Sequence, residues 1–114
     1  MYKRQILSST IGGLSGKAIK PQALRCVYDI YQSINIPIIG CGGISSWQDA
    51  VEFFLAGAEA VQVGTAVFQR DLEVFNEINE GLKRYLTRKK IPSIKKMVGT
   101  AHRSPNAYQA TIIG

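Results

Sequence analysis

Two short apolar runs, each followed by glycine, constrain the fold of this 114-residue chain more than any other feature. The runs cover residues 36–41 and 59–63, and neither alternates apolar with polar side chains. Strands that are buried on both faces, as in a parallel sheet, have this pattern. Gly42 and Gly43 follow the first run, and Gly64 follows the second. The sequence therefore predicts two parallel strands that both end at glycine loops.

Amphipathic segments alternate with these runs. Apolar side chains recur at helical spacing over residues 20–35, 46–57 and 72–86. Ser46 is expected to cap the second helix, and a shorter helix is expected from Ser93 through Val98. Strands that alternate with helices over residues 36–86 are typical of βαβ units, so the chain is predicted to have an α/β fold.

Two strands do not complete such a sheet. Residues 5–7 could form a further strand, but a full (β/α)8 barrel has eight strands and takes about 250 residues. With two predicted strands, this chain holds about a quarter of one. Either the chain is a fragment or it completes its sheet with another chain. Because unpaired strand edges favour pairing with a second copy, self-association is expected.

Composition excludes several classes of protein. The chain is 46% hydrophobic and 19% charged, so it can bury a core. No apolar run reaches the roughly 18 residues of a membrane span, and no secretory signal is visible, so a cytoplasmic protein is expected. The two cysteines, Cys26 and Cys41, fit neither a disulfide framework nor a metal site. Cys41 is expected to be a small buried core residue, and His102 is expected at the surface.

The charges are unevenly distributed. Residues 49–80 contain seven acids and one base, whereas residues 83–103 contain eight bases and no acid. The basic segment could bind nucleic acid or an acidic partner. Only Tyr85 interrupts the bases with an aromatic ring, and no nucleic-acid motif is present. A solvated helix face is therefore the favoured interpretation, and no nucleic-acid partner is expected.

The glycine loops are the candidate functional site. The carboxyl ends of parallel strands meet at one edge of a sheet, so the loops at Gly42-Gly43 and Gly64-Thr65 are expected to face each other. Glycine lets the backbone approach a ligand closely, and free N–H groups there bind anions. The two loops could hold one phosphate, although glycines after strands also serve simply as turns. The pattern alone leaves both interpretations open.

Three segments carry a resemblance to a known family. They are GGLSGKAIKP at residues 12–21, IPIIGCGGI at residues 36–44 and LAGAEAVQVGTA at residues 55–66. They closely resemble the dihydroorotate dehydrogenases, specifically the class 1 heteromeric (B) branch, over about residues 10–101. The resemblance implies that residues 1–101 are the carboxyl-terminal part, the last βα units, of a (β/α)8 TIM barrel that binds FMN. Residues 102–114 have no counterpart and are expected to form a tail.

The same resemblance implies the function and the site. The family oxidises dihydroorotate to orotate in pyrimidine biosynthesis. By resemblance, the FMN phosphate and ribityl chain would contact Gly16, Gly42, Gly43, Gly64 and Thr65. The catalytic base of class 1 enzymes is a cysteine on a loop upstream of the matched stretch, so no catalytic residue is expected in this chain. The isolated chain is therefore expected to bind FMN weakly or not at all and not to oxidise dihydroorotate.

Partners and alternatives also follow from the resemblance. The heteromeric branch passes electrons to a subunit that carries FAD and an iron–sulfur cluster. A dihydropyrimidine dehydrogenase-like barrel shares the GG-x-SG and GGI loops, and it is the closest alternative. A phosphate-binding module without catalytic activity is an alternative from a different class.

Overall fold

The computed structural model describes residues 12–103, in which helices surround a small parallel sheet. A short 3₁₀ turn at Lys17–Ile19 opens this part of the chain. In order, the elements are α1 (Lys20–Ser33), β1 (Ile39–Cys41), α2 (Trp47–Ala56), β2 (Ala60–Gln62), α3 (Thr65–Arg70), α4 (Glu73–Lys89), α5 (Ile94–Met97) and α6 (Thr100–Arg103). The possible strand at residues 5–7 and the chain beyond Arg103 lie outside the described residues.

The strands β1 and β2 pair in parallel, with Gly40 opposite Val61, and α2 connects them. This arrangement confirms the predicted βαβ unit. The strands are shorter than predicted, and the expected burial on both faces is wrong. Ile39 is 59% exposed and Cys41 is exposed, because within residues 12–103 no third strand pairs with either edge of the sheet.

The core is built around α2. This helix contacts α1, α4 and β2, so its buried surface extends beyond the single apolar stripe predicted from the sequence. The predicted stripe consists of Trp47, Ala50, Val51, Phe54 and Leu55. Phe53 lies outside it and is completely buried. Its ring occupies the space over Gly40, where a Cβ would lie 2.6 Å from Phe53 Cδ1. The glycine in β1 is therefore required by the close packing of α2 on the sheet.

The helix ends follow local capping rules. The Ser46 hydroxyl accepts a hydrogen bond from the Asp49 N–H at 3.3 Å, which confirms the predicted cap of α2. Gly57 follows α2 with a φ of 133° and donates its N–H to Phe53 and Phe54 carbonyls. The helix α4 starts close to its predicted start and continues to Lys89.

The helices α3 and α6 were not predicted. The first starts directly after Gly64 and ends at Arg70, and the next residue, Asp71, has a φ of 60°. The second brings His102 onto α1, where the imidazole stacks on Tyr28 with ring centroids 4.0 Å apart. Its Nε2 lies 2.6 Å from the Ala56 carbonyl oxygen, and a carbonyl can only accept, so Nε2 donates. The expectation of a surface histidine is wrong, whereas the predicted boundary at residue 101 stays a prediction.

The basic segment lies on the outside of the molecule. All eight of its bases are exposed, along the second half of α4 and on α5 and α6. Their exposure agrees with a solvated helix face, and the absence of a nucleic-acid partner stays a prediction. In the described part of the chain, no helix combines the length and the apolarity needed to cross a membrane.

Candidate functional site

A cavity of about 190 Å³ opens where β1 and β2 end. Three segments meet there, namely the loop before α1, the loop after β1 and the junction between β2 and α3. The five residues predicted from the sequence all line it: Gly16, Gly42, Gly43, Gly64 and Thr65. The convergence follows from the parallel sheet, which brings the carboxyl ends of both strands to one edge.

Gly43 joins two of these segments by close backbone packing. Its φ is 75°, a conformation that residues with a side chain rarely adopt. A Cβ at this position would lie 2.8 Å from the Gly16 carbonyl oxygen and 2.9 Å from the Lys20 nitrogen. Only glycine therefore allows the loop after β1 to lie against the loop before α1.

The cavity leaves backbone donors free. Among residues 12–103, the N–H groups of Gly42, Gly43 and Gly64 donate to no other backbone group. A Cβ built at Gly64 would meet no atom within 4 Å, so space is open beside that glycine. The glycine amides at this cavity donate to no backbone group among residues 12–103, and they fit a phosphate group, whose oxygens accept such hydrogen bonds.

The Asp49 carboxylate holds the loop after β1 in place. It accepts hydrogen bonds from the Ser45 N–H at 3.0 Å and from the Ser45 hydroxyl at 3.2 Å. Its other oxygen lies 2.7 Å from Lys20 Nζ, which also pairs with Glu52 at 3.3 Å. Arg70 of α3 donates to the Ser45 carbonyl. Helices α1, α2 and α3 are thus all tied to one loop, which fixes the shape of the cavity wall.

These contacts shift the pKa values of the central pair. Burial acts to raise the pKa of Asp49, but hydrogen bonds from Lys20 and Ser45 outweigh it and hold the pKa below its ordinary value. Burial likewise acts to lower the pKa of Lys20, but Asp49 and Glu52 together raise it. Both groups are therefore charged over a wider pH range than in the unfolded chain. The sequence indicated the helix cap at Ser46, but it gave no sign of the ion pair between Lys20 and Asp49.

Cys41 lines the cavity and is exposed, so the expectation of a buried core residue is wrong. Cys41 is the last residue of β1, and it lies at the cavity wall instead of in the core. Gln69 of α3 also lines the cavity, and it was missed because α3 was not predicted. Within residues 12–103, no group of three or more histidine, cysteine or acidic side chains is placed to hold a metal ion.

Comparison with known proteins identifies the family. A family model described as dihydroorotate dehydrogenase matches residues 1–86. The chain belongs to the dihydroorotate dehydrogenase family. It is 57% identical over 99 residues to a Pyrococcus abyssi protein and 55% identical over 101 residues to a Pyrococcus furiosus protein. Both are named dihydroorotate dehydrogenase B (NAD(+)), catalytic subunit, which confirms the resemblance to the heteromeric branch.

The matches cover most of this chain and a smaller share of each relative. The match to the Pyrococcus abyssi protein covers 87% of this chain and 33% of that protein. The match to the Pyrococcus furiosus protein covers 89% of this chain and 34% of that protein. The chain thus spans about a third of the length of these relatives.

Solved structures give the same assignment. A dihydroorotate dehydrogenase from Eimeria tenella in complex with ferulenol matches with a TM-score of 0.77 and 32% identity, over 88% of this chain and 29% of that one. A ligand-free crystal structure of the Eimeria tenella enzyme matches with a TM-score of 0.78 and 33% identity, over 86% and 28% of the two chains. The predicted fold class, part of an α/β barrel, is confirmed.

Proposed function

We propose that this chain provides the FMN-phosphate-binding part of a dihydroorotate dehydrogenase, which oxidises dihydroorotate to orotate in pyrimidine biosynthesis. One observation carries the proposal. Five residues from three separate segments line a single cavity, and the glycine amides at the two strand ends donate to no backbone group among residues 12–103. We infer the reaction from family membership. The cavity supports cofactor binding as the contribution of this chain to that reaction.

Each segment has a role in holding the cofactor. The N–H groups of Gly42, Gly43 and Gly64 would bind the phosphate oxygens, and Thr65 would donate from the start of α3. The Gly16 carbonyl oxygen lies against Gly43, so the loop before α1 forms one wall of the cavity, where it would contact the ribityl chain. Bound FMN would supply the redox chemistry by accepting hydride. We assign no catalytic base to this chain.

Phosphate binding alone gives little net affinity. Four hydrogen bonds to a charged group contribute about 6 to 12 kcal/mol in total, at about 1.5 to 3 kcal/mol each. Association costs about 4 to 15 kcal/mol in lost freedom of motion. Because these values nearly cancel, the isolated chain should bind FMN only weakly and should not form orotate. Equilibrium dialysis that gave submicromolar binding would contradict this division of roles.

A chimera tests the proposed reaction directly. The matched 99-residue stretch of the Pyrococcus abyssi catalytic subunit would be replaced by the corresponding residues of this chain. We expect the chimera to retain FMN and to convert dihydroorotate to orotate, and we expect a Gly43→Val version to lose FMN. A folded chimera that retained no flavin would refute the proposal, and so would one that bound phosphate esters but not FMN.

The partners follow from the same proposal. A catalytic subunit of the heteromeric branch would act with an electron-transfer subunit that carries FAD and an iron–sulfur cluster, in the cytoplasm. No further strand within residues 12–103 covers the edges of β1 and β2, and these edges and the exposed Ile39 also favour self-association of the isolated chain.

A further inference from the structure

Within the described residues 12–103, Lys17 is the only charged residue that lines the cavity. It follows Gly16 directly and begins the 3₁₀ turn that leads into α1. Its side chain is exposed, and among residues 12–103 no carboxylate lies within ion-pair distance of it. In the described part of the chain, the cavity therefore has one lysine at its wall that forms no ion pair there.

The neighbouring cations are already paired. Lys20 contacts both Asp49 and Glu52, and Arg70 pairs with Glu77. These five groups carry two positive and three negative charges, so they leave a net charge of minus one beside the cavity. Such a charge repels a phosphate dianion. Lys17 brings the local sum to zero, and it is the only one of these cations that lines the cavity.

We propose that Lys17 is the specificity-determining residue that makes this cavity prefer a dianionic phosphate monoester to a neutral ligand of the same shape. The proposal rests on the proposed function. Backbone amides donate to any oxygen, so they distinguish FMN from riboflavin less sharply than a nearby ammonium group does. A lysine on a flexible stem suits this role, because it reaches the phosphate as a compact charge.

Lys17→Gln tests the proposal in the chimera with the Pyrococcus abyssi catalytic subunit, with two matched controls. Lys20→Gln removes the lysine three residues along, and Lys95→Gln removes an exposed lysine of α5 that does not line the cavity. Equilibrium dialysis at high chain concentration would measure the affinities for FMN and for riboflavin. Chemical denaturation would measure the stability of each variant.

We expect Lys17→Gln to weaken FMN binding by about fivefold, the effect of a partly exposed charge pair. Riboflavin binding and stability should not change, and the salt dependence of FMN binding should become shallower. Lys95→Gln should behave like the parent chimera, and Lys20→Gln should lower stability. Equal weakening of FMN and riboflavin would overturn the role of Lys17, as would no weakening at all. A folded chimera that retained neither flavin would overturn the cavity assignment itself, and hence the proposed function.

Discussion

Gly43→Ala should destabilise the chain by preventing the contact between two cavity loops. The φ of 75° places an alanine in the left-handed region, which costs about 1 to 2 kcal/mol. The new methyl group would also lie 2.8 Å from both the Gly16 carbonyl oxygen and Lys20 Cβ. Overpacking of this kind costs about 1 to 3 kcal/mol. The two effects together predict a loss of about 2 to 5 kcal/mol in the free energy of unfolding.

Gly13→Ala is the matched control, because a Cβ there meets no atom within 4 Å. It should change the free energy of unfolding by less than about 1 kcal/mol. Urea denaturation followed by circular dichroism would measure both variants, with the midpoint and the slope fitted separately. If Gly43→Ala unfolded at the same urea concentration as Gly13→Ala, the close packing of the two loops would be refuted.

Three further predictions concern the ion pair, the core and the sheet edge. Because the pKa of Asp49 is lowered by folding, its contribution to stability is present above its unfolded pKa and is lost as the pH falls below about 4. Asp49→Asn should therefore flatten the acid side of the stability profile, and an unchanged slope would contradict the pairing with Lys20. Phe53→Ala should cost about 3 to 5 kcal/mol in thermal or urea unfolding, whereas Phe68→Ala, at a residue that is 96% exposed, should cost almost nothing. Ile39→Lys should reduce self-association in sedimentation at low micromolar concentration, and a parent chain that sediments as a single 12.5 kDa species would contradict the predicted pairing of sheet edges.

The sequence predicted the cavity because the signals for it are local. Short apolar runs that end in glycine indicate parallel strands, and parallel strands bring their ends together wherever the rest of the barrel lies. Gly42, Gly43, Gly64 and Thr65 could therefore be placed at one edge before any coordinates. Gly16, which precedes α1, was added by the family resemblance. Ser46 and Gly57 likewise fixed the ends of α2, because capping depends on residues within one helical turn.

Features that depend on contacts between distant residues were not predicted. Lys20 and Asp49 are 29 residues apart, and His102 contacts the carbonyl of Ala56 across 46 residues, so no spacing rule indicates either pair. The helix α3 has six residues, which is too short for an apolar period to show. The exposure of Cys41 depends on which surface the strand end meets, and this cannot be inferred from its apolar neighbours.

Titration of the isotope-labelled chain with inorganic phosphate, followed by amide chemical shifts, tests the central assignment most directly. The cavity predicts that the amides of Gly42, Gly43, Gly64 and Thr65 shift together along one saturable binding curve. Shifts confined to the basic segment at residues 83–103, with these four amides unmoved, would contradict it.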